Sequence, residues 1–131
     1  THRPPWFNPD MPARDSCVLR YLLDRGATAH PDRQLALFED GLQWTWSQAR
    51  EHVRDTAAGL QALGIQAGDP VLVWLPNCRD MIRLWFAANY IGAIFVPLNT
   101  AYRGSILEHA INLTGDSFWS RTAICWSGWR D

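Results

Sequence analysis

The sequence contains no lysine, and all twelve of its Lys and Arg positions are arginine. A chain without lysine has no side-chain amine to form a Schiff base and no ammonium group to bind phosphate as a point charge. So complete a preference for arginine also indicates GC-rich coding DNA. The net charge of −1 gives no electrostatic reason to expect binding to nucleic acid or to an anionic membrane.

Cysteine and long apolar runs are also scarce. The three cysteines, Cys17, Cys78 and Cys125, are far apart and form no Cys-x-x-Cys pair, which argues against a disulfide scaffold or a zinc site and favours a reducing cytoplasm. The four histidines show no metal-ligand spacing, so we predict no metal site. No apolar run approaches the roughly 18 residues of a membrane span, so we predict no transmembrane segment.

The residues that are present alternate between helical and strand-like patterns. After a proline-rich stretch at 1–14, which we interpret as an extended leader, the order is helix, hairpin, helix, strand, helix, strand, helix. Asp40-Gly41 predicts the hairpin turn, and the apolar runs at 71–76 and 94–99 predict two buried parallel strands. This alternation predicts an α/β fold with right-handed crossovers.

Residue type and periodicity suggest where the helices begin and which side chains they bury. We expect helix caps at Asp15 or Ser16, at Ser47 and at Asn77. Helical spacing predicts two inward-facing sets of side chains, and we also expect four tryptophans in the core. The first inward set is Ala49, Val53, Ala57, Leu60 and Leu63, the second is Met81, Leu84, Trp85, Ala88 and Ile91, and the core tryptophans are Trp44, Trp46, Trp74 and Trp85.

The last segment, 116–131, differs from the rest. It holds three of the eight tryptophans and shows neither strand nor helix periodicity, although the alternation calls for another buried strand there. Out-of-frame reading of GC-rich DNA yields Trp, Arg, Ser, Gly and Cys, so we interpret 116–131 as an out-of-frame or otherwise aberrant tail. The alternative is a genuine tryptophan-rich binding tail, since clustered aromatic residues do occur at recognition surfaces.

Residues 17–115 carry a series of motifs in a fixed order. These are Pro31-Asp32 before the hairpin, LGIQAGDPVLVWLPN at 63–77, GAIFVPLNTAYR at 92–103 and a helix ending in NLTG at 112–115. Together they resemble the N-terminal segment of the AMP-forming acyl-CoA synthetases, in the adenylate-forming ligase superfamily. VPLNTAYRG at 96–104 most resembles the carnitine- or crotonobetaine-CoA ligases and related medium-chain enzymes. The resemblance implies that 15–115 is an incomplete N-terminal subdomain of that α/β fold.

The resemblance also implies a reaction. In the family a carboxylate attacks the α-phosphate of ATP to give an acyl-adenylate and pyrophosphate, and the thiol of coenzyme A then displaces AMP; magnesium accompanies the nucleotide. The family's phosphate loop with its lysine, its adenine-pocket motif and its C-terminal domain with the catalytic lysine have no counterpart in this sequence. We therefore expect no catalytic residue, no bound cofactor and no activity in this chain by itself.

Two other functions remain open at this point. The chain could be a stand-alone α/β interaction module whose tail, 116–131, binds a partner. A small nucleotide-binding protein is disfavoured, because the sequence has no Gly-x-Gly or Walker-type loop.

Candidate binding residues follow the predicted strands. Ligands of open α/β sheets lie beyond the carboxyl ends of the strands, where this chain places Asn99, Thr100 and Arg103. We predict that these three line a substrate or coenzyme A pocket in a longer relative, where Arg103 can bind phosphate or carboxylate through two hydrogen bonds. The alternative is that Asn99 stabilises the loop and that Arg103 is solvated or salt-bridged. Cys78 lies near a helix N-terminus, but no histidine is near it in sequence to act as its base.

Overall fold

Helices and strands alternate along the part of the chain that the computed structural model describes, residues 14–113 and the backbone of 123–126. The elements in order are a short 3₁₀ turn (Arg14–Cys17), α1 (Leu19–Ala29), β1 (Gln34–Leu37), β2 (Gln43–Thr45), α2 (Trp46–Ala62), β3 (Pro70–Trp74), α3 (Arg79–Ile91), β4 (Ile94–Pro97), α4 (Gly104–Asn112) and β5 (Ala123–Trp126). The predicted α/β class is confirmed. The predicted leader, apart from Arg14, lies outside the described residues.

The predicted hairpin is present. β1 and β2 pair in antiparallel fashion, and the turn between them contains Asp40 and Gly41. The backbone N–H of Phe38 donates to the carbonyl of Leu42 at 2.8 Å, and the N–H of Leu42 donates to the carboxylate of Asp40 at 3.1 Å. A turn side chain and the backbone therefore close the hairpin together.

A parallel sheet with the strand order β4-β3-β5 forms the second structural unit. β3 lies in the middle, and Val71, Leu72 and Val73 have no exposed surface, as expected for a strand covered on both faces. β4 differs from its prediction as a buried strand, since Ile94 is 54% exposed. Among the described strands, β4 has a neighbour on only one side, so its other edge is not covered.

The third strand of the parallel sheet, β5, was not predicted. Its four residues pair in parallel with β3, with Ala123 opposite Val71 and Trp126 opposite Trp74. The sequence pattern of 116–131 indicated neither strand nor helix, because a strand of four residues is too short for periodicity to identify. The interpretation of 116–131 as an out-of-frame product concerns the coding DNA and stays a prediction.

The core lies between the sheet and helices α1, α2 and α3. The predicted stripe on α2 is buried at Ala49, Val53, Ala57 and Leu60. Leu63 is 74% exposed, so its assignment to this stripe is wrong. It is the C-cap residue of α2, where the helix ends and the periodicity no longer governs the direction of the side chain.

The four tryptophans predicted as core residues have different environments. Trp44 is buried, and Trp46 packs against the core and lies over Gly26, where a Cβ atom would come within 2.1 Å of its ring. Gly26 therefore permits the close contact between α1 and this indole. Trp74 is half-buried. Trp85 is 40% exposed, so its placement in the core is wrong; its ring stacks on Phe95 at the surface.

Two of the predicted helix caps are wrong because neighbouring residues begin the helices. Asp15 and Ser16 lie in the 3₁₀ turn, and α1 has Val18 as its N-cap. The N-cap of α3 is Cys78 and not Asn77, and no side-chain cap hydrogen bond is made there.

The third predicted cap, Ser47, is also wrong, since Thr45 caps α2. The Thr45 hydroxyl accepts from the N–H of Gln48 at 3.2 Å, while the Gln48 side chain accepts from the N–H of Thr45 at 2.9 Å. This reciprocal pair is a capping box. The sequence Thr-Trp-Ser contains two hydroxyl residues that could cap the helix. Because β2 ends at Thr45 and α2 begins at Trp46, Thr45 is the one in the N-cap position.

We predict that Thr45→Ala lowers the free energy of unfolding by about 1 kcal/mol, the usual effect of losing a hydroxyl N-cap. Ser47→Ala, two residues further on, removes the same hydroxyl from a residue that does not cap the helix and should change stability by less than about 0.5 kcal/mol. Urea denaturation followed by circular dichroism measures both. Equal losses in the two variants would contradict the assignment of Thr45 as the cap.

Gly92, the C-cap of α3, and Gly59, within α2, should respond in opposite directions to alanine. Gly92 ends α3 with φ of +78°, and a Cβ atom there would lie 3.2 Å from the Cβ of Ala67. We expect Gly92→Ala to cost about 1–2 kcal/mol, the strain of a left-handed conformation. Gly59 lies within α2 with open space around it, so Gly59→Ala should add about 0.5–1 kcal/mol of stability. Denaturation midpoints give the sign of each change, and a stabilising Gly92→Ala would contradict this account.

Candidate functional site

The carboxyl ends of β3 and β4 meet at one edge of the sheet, and residues 98–103 form a loop there, called here the strand-end loop. The N–H of Leu98 donates to the carbonyl of Val73 at 2.8 Å, which extends the pairing of the two strands. The indole N–H of Trp74, at the end of β3, donates to the carbonyl of Asn99 at 3.1 Å. These two bonds fix the loop against the end of the central strand.

Asn99, the first predicted binding residue, makes contacts within the loop. Its side-chain oxygen accepts from the N–H of Ala101 at 2.9 Å, and its carbonyl accepts from the N–H of Tyr102 at 3.0 Å. An Asn side chain that binds the backbone two residues ahead shapes a turn. The structure thus shows for Asn99 the loop-stabilising contacts of the alternative interpretation.

Thr100 and Arg103 come together in the same loop. One terminal nitrogen of Arg103 donates to the carbonyl of Thr100 and to the carbonyl of Tyr102, the latter at 2.7 Å. The guanidinium carbon lies 5.0 Å from the centre of the Trp74 ring, within the range of a cation–π contact. The loop therefore holds the charge of Arg103 over the aromatic residue that ends β3.

The amino end of α4 adjoins this guanidinium. Arg103 is the N-cap of α4, and its side chain makes no cap hydrogen bond to the first-turn amides. Helix N-termini carry a partial positive charge and amide donors that favour anions. Next to Arg103 they create an electropositive point at the carboxyl edge of the sheet, suited to a phosphate or a carboxylate. The sequence identified Arg103 by its position, but Trp74, the ring beneath it, was predicted only as a core residue.

Apart from the strand-end loop, a surface depression of about 400 Å³ lies between the hairpin turn and the start of α3. Asp40 and Arg79 form an ion pair across it, with an N–O distance of 3.6 Å. Both side chains are about half exposed, so the pair adds little stability. Cys78 is half-buried in its wall. The ion pair joins the hairpin to α3, a contact that no local sequence pattern indicated.

Comparison with known proteins places this arrangement in a family. The model of the AMP-binding enzymes matches residues 23–120, a range that includes β1 to β4, the strand-end loop and α4. The chain belongs to the AMP-binding enzyme family. The predicted resemblance to AMP-forming acyl-CoA synthetases is thereby confirmed, and the family is one of ATP-dependent ligases that form AMP.

Named relatives include acyl-CoA ligases of two kinds. The crotonobetaine/carnitine–CoA ligase of Salmonella paratyphi A is 36% identical over 90 residues, which cover 66% of this chain and 17% of that protein. A mitochondrial medium-chain acyl-CoA ligase of Danio rerio is 35% identical over 83 residues, covering 63% of this chain and 14% of that protein. Both kinds of enzyme suggested by VPLNTAYRG are thus among the relatives.

Solved structures agree with the sequence relatives. A Mycobacterium tuberculosis fatty acyl CoA synthetase superposes with a TM-score of 0.61 at 30% identity, covering 64% of this chain and 17% of that one. The N-terminal domain of FACL13 from the same organism gives a TM-score of 0.68 at 27% identity, with 72% and 24% covered. The present chain spans less than a fifth of the length of the first curated relatives, between 12% and 18%.

Proposed function

We propose that this chain is the N-terminal segment of an ATP-dependent, AMP-forming acyl-CoA ligase. The whole enzyme would convert a carboxylate, ATP and coenzyme A to an acyl-CoA, AMP and pyrophosphate through an acyl-adenylate. The family match over residues 23–120 carries this proposal. The 35–36% identity to acyl-CoA ligases of two kinds supports it.

We further propose that the 131-residue chain does not catalyse this reaction by itself. It contains no lysine, and the family's phosphate loop and adenine-pocket motif have no counterpart in it. Among residues 14–113 and 123–126, no three His, Cys, Asp or Glu side chains lie close enough to hold a metal ion. The described residues therefore offer no site at which three such side chains could hold a magnesium ion.

The strand-end loop is proposed to contribute to substrate or coenzyme A binding in the whole enzyme. Arg103 and the amides that begin α4 would contact an anionic group, a carboxylate or a phosphate. Asn99 would act indirectly, since its side chain holds the turn. Thr100 would orient Arg103 through its carbonyl. This assigns direct binding to one of the three predicted residues and positioning to the other two.

The alternative function, an interaction module with a binding tail, receives less support. Residues 123–126 of that tail form β5 and pair with β3, so this part of the tail is engaged within the sheet. None of the helices that the structure describes is long and apolar enough to cross a bilayer. A cytoplasmic location stays a prediction, and two of the relatives are named as mitochondrial.

The function is tested with a chimera in which residues 23–113 replace the aligned segment of the Salmonella crotonobetaine/carnitine–CoA ligase. We expect the chimera to form acyl-CoA from the parent's carboxylate, whereas the 131-residue chain alone should show no carboxylate-dependent ATP–pyrophosphate exchange above the blank. The parent ligase and a parent lacking the segment are the controls. Exchange by the isolated chain would refute its inactivity. A chimera that melts as cooperatively as the parent yet forms no acyl-CoA would refute the family function.

The role of Arg103 is tested in the same chimera. Loss of a charge-assisted hydrogen bond of about 1.5–3 kcal/mol predicts that Arg103→Gln raises KM for the carboxylate or for coenzyme A by roughly tenfold or more. Arg103→Lys, which keeps the charge but not the planar fork, should be intermediate. Arg33→Gln is the matched control, because it removes the same charge from an exposed residue before β1, and KM should stay within about twofold. An unchanged KM with a lowered melting temperature would assign Arg103 to the loop's stability alone.

A further inference from the structure

An apolar pocket of about 180 Å³ lies between the hairpin and helices α1, α2 and α3. Its floor is made by Leu23 of α1, Trp44 of β2, and Ala49 and Val53 of α2, all of them at most 5% exposed. These residues belong to the hydrophobic core. The pocket is therefore an open cleft whose inner wall consists of core side chains.

The entrance lies between the hairpin and α3. Leu35 and Ala36 of β1 form one side, and Ile82 and Phe86, one turn apart on α3, form the other. All four are half-buried. Because they are side chains on two separate elements, rotations of Leu35 and Phe86 can admit a ligand without unfolding a helix or strand.

The indole of Trp44 is a fixed wall of this pocket. The ring of Phe38 packs edge-on against it at 4.7 Å between centroids, and the ring of His52 lies 4.9 Å away on a neighbouring turn of α2. An indole held by two further rings cannot rotate readily to close the space. The pocket is thus formed before any ligand enters.

The lining determines what the pocket can hold. The eight lining side chains in the described part of the chain are hydrocarbon apart from the indole N–H of Trp44. A buried water needs two to four polar partners, whereas an engineered apolar cavity of about 150 Å³ stays dry and binds benzene or xenon. A void lined by apolar side chains also loses the dispersion contacts that an apolar occupant restores.

We propose that this pocket is a binding site for a compact apolar molecule of about the size of benzene. It shares no residue with the strand-end loop, for which we proposed the binding of an anionic group at the carboxyl edge of the sheet. It is therefore a second site, chemically unlike the first, and its existence does not depend on the ligase function.

Benzene itself is the probe, and methyl resonances of the 131-residue chain are the readout. With ¹³C-labelled Ile, Leu and Val methyl groups, we expect saturable shifts at Leu23, Leu35, Val53 and Ile82 as benzene is added. The methyl groups of Val71 and Leu72 have no exposed surface and lie outside the pocket, so they should not move. No shift at the solubility limit of benzene, or equal shifts at Val71 and Leu72, would overturn the proposal.

Two alanine-to-leucine variants test directly whether the pocket contains unfilled space. Ala49→Leu should fill the pocket, raise the dissociation constant for benzene at least tenfold, and leave the melting temperature unchanged or higher. Ala87→Leu is the matched control: Ala87 is fully buried on α3 but is not a lining residue, so overpacking should lower its melting temperature. An Ala49→Leu protein that melts as low as Ala87→Leu would show that there is no space to fill. If neither variant folds, the benzene titration of the unaltered chain decides.

Discussion

The burial of β3 on both faces is the constraint on which the rest of this structure depends. Val71, Leu72 and Val73 are completely inaccessible, and burying each such side chain contributes roughly 1.5–3 kcal/mol. Val71 and Val73 belong to the core beneath the helices, while alternation directs Leu72 to the opposite face. A strand with no polar face is stable only between two neighbouring strands and two covering layers. The parallel neighbours β4 and β5 supply the first of these requirements, and α2 and α3 supply one layer of the second.

The turn before β3 fixes the register between β3 and β4. Asp69 is 8% exposed, and its carboxylate accepts from the N–H of Gln66 at 2.8 Å, while its carbonyl accepts from the N–H of Ile94 at 2.8 Å. The N–H of Gly68 donates to the carbonyl of Gly92. The amino ends of β3 and β4 are therefore joined by side-chain and backbone bonds together. Since both strands run in the same direction, register set at their amino ends also places their carboxyl ends, where the strand-end loop begins.

Local patterns predicted those parts of the fold that local forces determine. The stripe of α2 apart from Leu63, the apolar run of β3 and the Asp40-Gly41 turn follow from periodicity and turn chemistry, and these were found. At α2 the sequence contains two hydroxyl residues near the helix start, and the wrong one was chosen, whereas α1 and α3 begin after Val18 and Cys78, which make no side-chain cap hydrogen bond. β5 was missed because a strand of four residues is too short to be recognised by periodicity. Trp85 was misplaced because helical spacing reports a face, not how far the neighbouring layer extends over it.

The candidate site shows the same division. The strand-end rule identified the region of Asn99 and Arg103 from sequence, because it depends only on where strands stop. The rule could not identify the different contacts that Asn99 and Arg103 make within the loop. These contacts depend on Trp74, which belongs to another strand. The apolar pocket could not be predicted from the sequence, because residues of the hairpin and of helices α1, α2 and α3 enclose it together. In the sequence, each of these residues has the pattern of an ordinary core residue.

The contacts of the strand-end loop limit what a ligand could meet there. Because the side-chain oxygen of Asn99 accepts from the N–H of Ala101, a ligand that displaced this bond would open the turn. Arg103 is held differently, because one of its terminal nitrogens donates to the carbonyls of Thr100 and Tyr102 while the guanidinium lies over the Trp74 ring. Those bonds and the Trp74 ring restrict its motion before a ligand arrives, so less conformational entropy is lost on binding. If Arg103 has the proposed binding role, a loop whose turn is held by Asn99 and whose guanidinium is restrained by Trp74 would present one cation beside the start of α4 to an anionic substrate group.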